Sequence, residues 1–175
     1  MRSLIPLAAA CLLASPAVAH AQDGPCITAD EFSSLAGYAL PNVITAAQKR
    51  CAATLAPQAF LNTGGPALAT RYAARKPATW AVARAAFLKL SASGNKSASF
   101  LKDIPDESLQ EVLDVFIEGM VSQEIPLEEC GTIDEFVRLL APLPPENMAE
   151  LVGKVVELST KSKPAKPGKL NICRS

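Results

Sequence analysis

Along most of this chain, apolar residues recur at intervals of three and four positions, the spacing that places them on one face of an α-helix. The clearest example follows Pro105, where an apolar stripe lies opposite an acidic one. The apolar stripe comprises Leu109, Val112, Leu113, Phe116 and Met120. The acidic stripe comprises Glu107, Glu111, Asp114 and Glu118. The pattern predicts a helix that buries its apolar stripe.

Two helices are predicted before residue 60. Thr28, followed three residues later by Glu31, has the form of a capping box, and an apolar stripe runs from there until Pro41, which should stop the helix. That stripe comprises Phe32, Leu35, Ala36 and Ala39. Asn42 can cap a second helix that ends near Pro57. Its apolar face comprises Ile44, Ala47, Cys51 and Leu55. The two helices would form an antiparallel hairpin around Pro41.

The rest of the chain continues in the same way. The segment Asn62-Thr63-Gly64-Gly65 predicts a loop, and Pro66 opens a short helix through Arg75 that Pro77 closes. A longer helix then ends by Gly94. Its inward residues are Trp80, Ala83, Phe87 and Leu90.

Two further helix starts precede the tail. Thr132 and Glu135 have the form of a second capping box, before a helix with Ile133, Phe136, Val137 and Leu140 on its apolar face. Pro145 opens a last helix that should bury Met148, Leu151, Val152 and Val155. No window alternates with a period of two, so strands are not expected. The pattern predicts an all-α, single-domain bundle of about six to seven short helices.

The N-terminal segment has the features of a signal peptide. A basic start at Arg2 precedes an apolar run over residues 4–18, and Ala19-His20-Ala21 supplies small residues for cleavage after Ala21. Lipidation at Cys11 is the alternative. We expect residues 1–21 to direct export to a bacterial periplasm, residues 22–160 to form the helical domain, and residues 161–175 to form a basic extended tail anchored by Cys173. No later apolar run reaches the roughly 20 residues of a membrane span.

Four cysteines follow the predicted signal peptide, which indicates two disulfides in an oxidising compartment. They are Cys26, Cys51, Cys130 and Cys173. Three pairings are open in principle, and their spacing does not match a zinc site or a thiol oxidoreductase. The hairpin around Pro41 favours Cys26 with Cys51, which leaves Cys130 with Cys173.

Charge is distributed unevenly, although 17 basic and 17 acidic residues cancel overall. From Phe32 to Lys102 there are nine basic residues and no acid, whereas the segment from Asp103 to Thr160 has fourteen acids and two basic residues. Either the two segments meet in the fold, or one of them faces a charged partner such as an anionic envelope component. The candidate basic interaction surface comprises Arg71, Arg75, Lys76, Arg84 and Lys89. We expect some of Arg71, Arg75, Arg84 and Lys89 to lie within about 8 Å of the acidic stripe.

Candidate catalytic chemistry is sparse. The single histidine, His20, lies in the predicted signal peptide, which removes the commonest general base and metal ligand. The sequence lacks the motifs for nucleotide binding, for a nucleophile-elbow hydrolase and for an EF-hand calcium loop, so no cofactor or metal is predicted. Glu107-Ser108 resembles the catalytic Glu-Ser pair of lytic transglycosylases, but the proline expected soon after it and the Gly-Leu-Met-Gln motif of that family are missing.

These observations predict a non-catalytic binding or structural module of the cell envelope. A chaperone-like or inhibitor-like binder of envelope polypeptides is one alternative, and a carboxylate-dependent peptidoglycan-cleaving enzyme is another. Nucleic acid is not an expected partner in that compartment. Without histidine, stability and binding should change little between about pH 5 and 8.

Overall fold

The computed structural model describes residues 26–94, 96–162 and 172–173. The helices are α1 (Ala29–Cys51), α2 (Phe60–Thr63), α3 (Gly65–Ala73), α4 (Lys76–Gly94), α5 (Asp106–Glu124), α6 (Cys130–Leu140) and α7 (Pro145–Ser162), with 3₁₀ segments at Lys96–Lys102 and Leu127–Glu129. Among these residues the only extended pairing is an isolated bridge between Ile27 and Ile172. The predicted all-α bundle with two disulfides is confirmed. The predicted signal peptide lies outside the described residues.

The first helix begins where the sequence predicts but does not stop at Pro41. The Thr28 hydroxyl accepts a hydrogen bond from the Glu31 amide at 3.1 Å, and the Glu31 carboxylate accepts one from the Thr28 amide at 2.9 Å, so the capping box is confirmed. The predicted hairpin is wrong, because α1 continues for 23 residues with Pro41 buried inside it. Asn42 is a buried interior residue instead of a cap.

Burial of α1 explains why proline is tolerated there. A proline in a helix interior removes one hydrogen bond and costs about 3 kcal/mol. Helices α3, α4, α5 and α7 all pack against α1, which makes it the central helix of the bundle. We infer that the apolar surface buried around α1 offsets the local cost of Pro41.

The close approach of α7 to α1 depends on a glycine. A Cβ atom added to Gly153 would lie 1.9 Å from the Ser33 hydroxyl and 3.2 Å from the Ser33 Cβ. Residue 153 must therefore be small for the two helices to pack at this distance.

The predicted loop at residues 62–65 is helical except for Gly64, a single turn residue between α2 and α3, and the difference has a long-range cause. Asp134 of α6 accepts hydrogen bonds from the backbone amides of Phe60 at 3.3 Å and Leu61 at 2.6 Å. These two amides lie in the first turn of α2, so a side chain from a distant helix supplies the cap. Pro77 does not end the preceding helix, because α3 already ends at Ala73. It lies in the first turn of α4, which is a favourable place for proline.

The second predicted capping box is also wrong. Helix α6 begins at Cys130, two residues before Thr132, and no side chain caps it. The 3₁₀ turn Leu127–Glu129 leads directly into the helix, and the buried Cys130 is fixed by its disulfide. Thr132 and Glu135 are therefore interior helical residues.

The disulfides join Cys26 to Cys173 and Cys51 to Cys130, so the predicted pairing is wrong. Cys26 precedes α1 and Cys51 ends it, and a 23-residue helix holds its two ends roughly 35 Å apart, far beyond disulfide reach. The Cys51–Cys130 bridge instead joins the end of α1 to the start of α6. The other bridge places Ile172 beside Ile27, where the Cys173 amide donates to the Ile27 carbonyl at 2.8 Å.

Disulfides of this kind indicate an oxidising compartment. Of the helices in the described ranges, none combines the length and apolar character needed to cross a membrane.

Candidate interaction site

Helix α5 buries a narrower and differently oriented face than its sequence predicts. Leu109, Leu113 and Ile117 are buried against a core that contains Tyr38 of α1 and Trp80 of α4. Three members of the predicted apolar stripe lie largely in solvent, so their predicted burial is wrong. They are Val112, Phe116 and Met120. The helix is therefore rotated about its axis relative to the orientation that would bury the whole stripe.

Burial of Leu109, Leu113 and Ile117 sets this orientation, and three ion pairs with α1 and α4 accompany it. Glu118 pairs with Lys49 of α1 at 2.6 Å, Asp114 pairs with Lys76 of α4 at 2.6 Å, and Asp106 pairs with Arg84 of α4 at 2.8 Å. Because these acids face α1 and α4, the opposite side of α5 must face solvent. The acid-free segment and the acidic segment thus meet in the fold.

The pair formed by Lys76 and Asp114 is the least exposed of the three. The Lys76 ammonium also donates to Asn42 Oδ1 at 3.1 Å and lies 4.4 Å from the centre of the Tyr38 ring. The Tyr38 ring in turn packs against Trp80 at 5.1 Å between centroids. Burial and the nearby Asp114 carboxylate raise the pKa of Tyr38. This polar cluster joins α5 to α1 and α4.

The outward side of α5 is an uncharged apolar stripe. We define the α5 stripe as Val112, Val115, Phe116 and Met120, whose exposed fractions are 53%, 74%, 59% and 48%. Residues three and four positions apart are neighbours on a helix surface, so the four side chains are contiguous. Gly119 lies among them, and a Cβ atom added there would meet nothing within 4 Å.

Val115 and Gly119 are not among the stripe residues predicted from the sequence, although the sequence contains a pattern that indicates a wider apolar surface. Apolar residues on α5 occur in runs, at Val112-Leu113 and at Val115-Phe116-Ile117, and so cover more than the face that one interface can bury. The fold buries one side of this wide apolar arc and leaves the other side in solvent.

Helices α6 and α7 also expose apolar side chains, three of which, Phe136, Leu151 and Val155, the sequence assigns to the core. On α6, Phe136 and Leu139 are exposed. On α7, Met148 is buried as predicted, but Leu151 and Val155 are exposed, as is Leu158. The predicted burial of Phe136, Leu151 and Val155 is therefore wrong. On α7 the reason is that the Met148 side turns toward α3 and α6, which leaves the adjacent flank in solvent.

The five residues of the candidate basic surface all have intramolecular partners. Arg71 donates to the Ala141 carbonyl and lies over the Tyr72 ring, and Arg75 pairs with Glu146 at 2.5 Å. Lys76 and Arg84 pair with acids of α5, as described above. Lys89 pairs with Glu31. Each of these cations lies at a contact within the bundle, and the contacts are spread over several helices.

A first groove lies between α1 and α7 and has a volume of about 340 Å³. Three carboxylates and one ammonium group line it, from Asp30, Glu146, Glu150 and Lys154. A hydrogen bond from Lys154 to Glu157 and the charge of Glu157 raise the pKa of that lysine, and Glu150 and Asp30 add to the effect. The groove is open to solvent and combines these charged groups with apolar surface.

A second groove, of about 460 Å³, lies between α3 and α6 and combines Phe60 and Leu68 with Arg71 and Arg138. Glu107, the residue of the transglycosylase-like pair, is exposed in the first turn of α5 and lines neither groove. Across the described part of the chain, no group of three or more histidine, cysteine or acidic side chains is arranged to hold a metal ion.

Comparisons of the chain with protein-family models, with curated proteins and with solved structures find no match.

Proposed function

We propose that this chain is a binding protein of a bacterial periplasm that engages another macromolecule through the α5 stripe and has no catalytic role. The observation that carries the proposal is the orientation of α5, which buries Leu109, Leu113 and Ile117, forms three ion pairs with α1 and α4, and directs Val115 and Phe116 into solvent. Contiguous exposed apolar surface is a common mark of an interaction site.

Two independent features support the proposed export to the periplasm. The first 21 residues have the pattern of a signal peptide, and both disulfides require an oxidising environment. Expression with the natural N-terminus in a Gram-negative host, followed by fractionation and mass spectrometry, tests this. We expect a periplasmic product that begins at Gln22, and a cytoplasmic product that retains residues 1–21 would contradict the proposal.

Several features favour binding over catalysis. The chain beyond residue 21 has no histidine, and its four cysteines are paired. Glu107 lies on an open helix surface, where a sugar chain would not be enclosed. The anionic partner considered from the sequence has less support than an apolar contact, because Arg75, Arg84 and Lys89 are occupied by carboxylates.

Site-specific photocrosslinking tests the interface. A photoreactive phenylalanine analogue at position 116 should give a discrete adduct in intact cells, whereas the same analogue at Val82, an exposed position on α4, should not. The captured molecule, once purified, should bind the unmodified protein and lose affinity for the Phe116→Ser variant. Equal adducts from both positions, or equal affinity for both proteins, would contradict the proposal.

A chaperone-like role is the second candidate, and the exposed apolar side chains of α6 and α7 favour it. Binding of unfolded chains uses several apolar surfaces, so Leu139→Ser and Leu158→Ser should each weaken suppression of aggregation as much as Phe116→Ser does. A loss confined to Phe116→Ser would favour a single specific interface.

A further inference from the structure

Resting on the proposed function of the α5 stripe, we propose that its partner is a cationic amphipathic helix of another polypeptide. Such a helix would place an apolar face on the stripe and lysine or arginine side chains beside the acids that border it. The expected partner is therefore helical in shape and positive in charge.

Acids border the stripe at both ends of α5. Glu111 lies four residues before Val115, and Glu124 lies four residues after Met120, so each is adjacent to the stripe on the helix surface. Both are exposed, as is Glu107, one turn before Glu111. Within the described residues none of these three acids forms an ion pair.

The other acids of α5 differ from these three because they form ion pairs within the bundle. Asp106, Asp114 and Glu118 are neutralised by bases of α1 and α4. The carboxylates beside the stripe form no such pair in the described residues, although Arg50 of α1 donates to the Ile125 carbonyl just after Glu124. Glu128 and Glu129, just beyond α5, are also exposed and extend the negative charge. A cationic partner would relieve this repulsion, whereas an acidic partner would increase it.

The geometry of the stripe suits a helix. Its members are spaced by three, one and four residues along a helix of 19 residues, which is roughly 28 Å long. Gly119 lies on this surface with open space where a Cβ would be, so its own fold does not require a glycine. A missing side chain at that point would let a partner helix approach closely.

Three other occupants fit less well. Anionic lipid would be repelled by the same acids. The basic tail of this chain has the required charge, but residues 163–171 contain only Ala165 and Leu170 as apolar side chains apart from proline. A second copy would bring another acid-bordered α5 to the first, with like charges opposed.

A defined peptide pair provides the test. The probe is a synthetic peptide of about 18 residues, with leucines at helical spacing and lysines elsewhere, and its partner has glutamates in place of the lysines. Binding to the full, disulfide-bonded protein is measured by fluorescence anisotropy at low salt and at about 0.5 M salt. We expect the lysine peptide to bind, to weaken as salt rises, and to become helical, whereas the glutamate peptide does not bind.

Matched variants locate the site. Phe116→Ser should weaken binding at least about tenfold, whereas Leu139→Ser on α6, which removes an equally exposed apolar side chain, should change it less than about twofold. Glu111→Gln should weaken binding by about two- to fivefold and reduce its salt dependence, whereas Glu150→Gln on α7 should not. Gly119→Leu should block binding without lowering the melting temperature.

The outcomes separate the inference from the proposed function. Equal binding of both peptides with a loss in Phe116→Ser would overturn the cationic partner and keep the stripe as an interface. Dimers that dissociate in Phe116→Ser would identify a second copy as the occupant and overturn it likewise. Adhesion to anionic vesicles that depends on Phe116 would identify lipid. No difference between Phe116→Ser and Leu139→Ser in any of these assays would overturn the proposed function as well.

Discussion

Both tyrosines of the chain, Tyr38 and Tyr72, are almost fully buried, and burial raises the pKa of each. The Arg71 guanidinium offsets part of the effect at Tyr72, and Asp114 adds to it at Tyr38. Since a phenol in an unfolded chain titrates near pH 10, folding with raised pKa values contributes stability below about pH 10 that is lost as pH rises further. The two residues should therefore resist ionisation in the folded protein.

Alkaline titration followed by tyrosinate absorbance and circular dichroism measures this. We expect little absorbance change near pH 10, and then joint ionisation of both residues as the helices unfold. Smooth ionisation around pH 10 with unchanged helix content would show that the rings are accessible.

Glu31 both caps α1 and binds Lys89 of α4, so its charge should stabilise the protein. The hydrogen bond from Lys89 lowers the pKa of Glu31, and the hydrogen bond from the Thr28 amide lowers it further. A lowered folded pKa means that the stabilisation is present above the unfolded value, about 4.3, and is lost as pH falls through the folded value.

Glu31→Gln should therefore cost up to about 1 kcal/mol at pH 7, because the amide can still accept the Thr28 hydrogen bond but not pair with the Lys89 charge. The deficit should disappear below about pH 4. Urea unfolding at both pH values measures it, with Glu111→Gln as a control that should be nearly neutral. A deficit that persists at low pH would assign the effect to the cap alone.

At the scale of single helices, the attachment of α5 depends on unequal ion pairs. The Lys76 side chain is 16% exposed and contacts both Asp114 and Asn42, whereas the Lys49 side chain is 64% exposed. Lys76→Met leaves partly buried polar groups without a partner and should cost about 1 to 3 kcal/mol. Lys49→Met should cost less than about 1 kcal/mol. Chemical denaturation compares the two, and equal losses would show that the Lys76 cluster is effectively solvated.

Local signals predicted several helix starts, and distant contacts decided the rest. The capping box at Thr28 and the prolines before α5 and α7 act within one turn, so they are legible in the sequence. The continuation of α1 through Pro41 depends on burial by four other helices. The cap on α2 comes from Asp134, more than 70 residues away. Neither effect has a local signature.

The candidate site was only partly predictable for the same reason. The acidic and apolar faces of α5 are evident from their spacing, and the charge order indicated that the two segments meet. Which apolar residues face outward depends on where Lys49, Lys76 and Arg84 lie, and that follows from the packing of α1 and α4. The wrong disulfide pairing followed directly from the wrong end of α1.

At the scale of the whole molecule, ion pairs between helices help to hold the bundle together. Salt should screen these attractions, so the melting temperature should fall modestly between low salt and about 0.5 M. Repulsion among the acids beside the α5 stripe opposes this trend. Glu107→Gln combined with Glu111→Gln should therefore make the fall steeper. A melting temperature that rises with salt would show that repulsion within each segment dominates.

The two disulfides should contribute similar entropic stabilisation but different packing. They close segments of 147 and 79 residues, a difference worth only about 0.6 kcal/mol in loop-closure entropy. Cys51 and Cys130 are fully buried among Ala47, Leu61 and Ile125, so their removal also disturbs the core. Replacing either pair by alanine should cost about 2 to 5 kcal/mol, with the larger loss for Cys51 and Cys130.

Denaturant unfolding of the two double variants measures these costs. Peptide mapping without reduction checks the pairing first, and a Cys26 peptide linked to Cys51 or Cys130 would contradict it. A larger loss for the Cys26 and Cys173 variant would show that closing the longer segment outweighs core packing.

The bridge between Cys26 and Cys173 has a mechanical consequence. Cys26 precedes α1 and Cys173 follows α7, so tension applied to the chain on the far sides of these two cysteines passes through one covalent bond and bypasses the helices between them. A molecule stretched from both sides should extend without unfolding until a reductant opens that bond, and only then release the length stored between the two cysteines. The fold would thus withstand pulling wherever its surroundings remain oxidising.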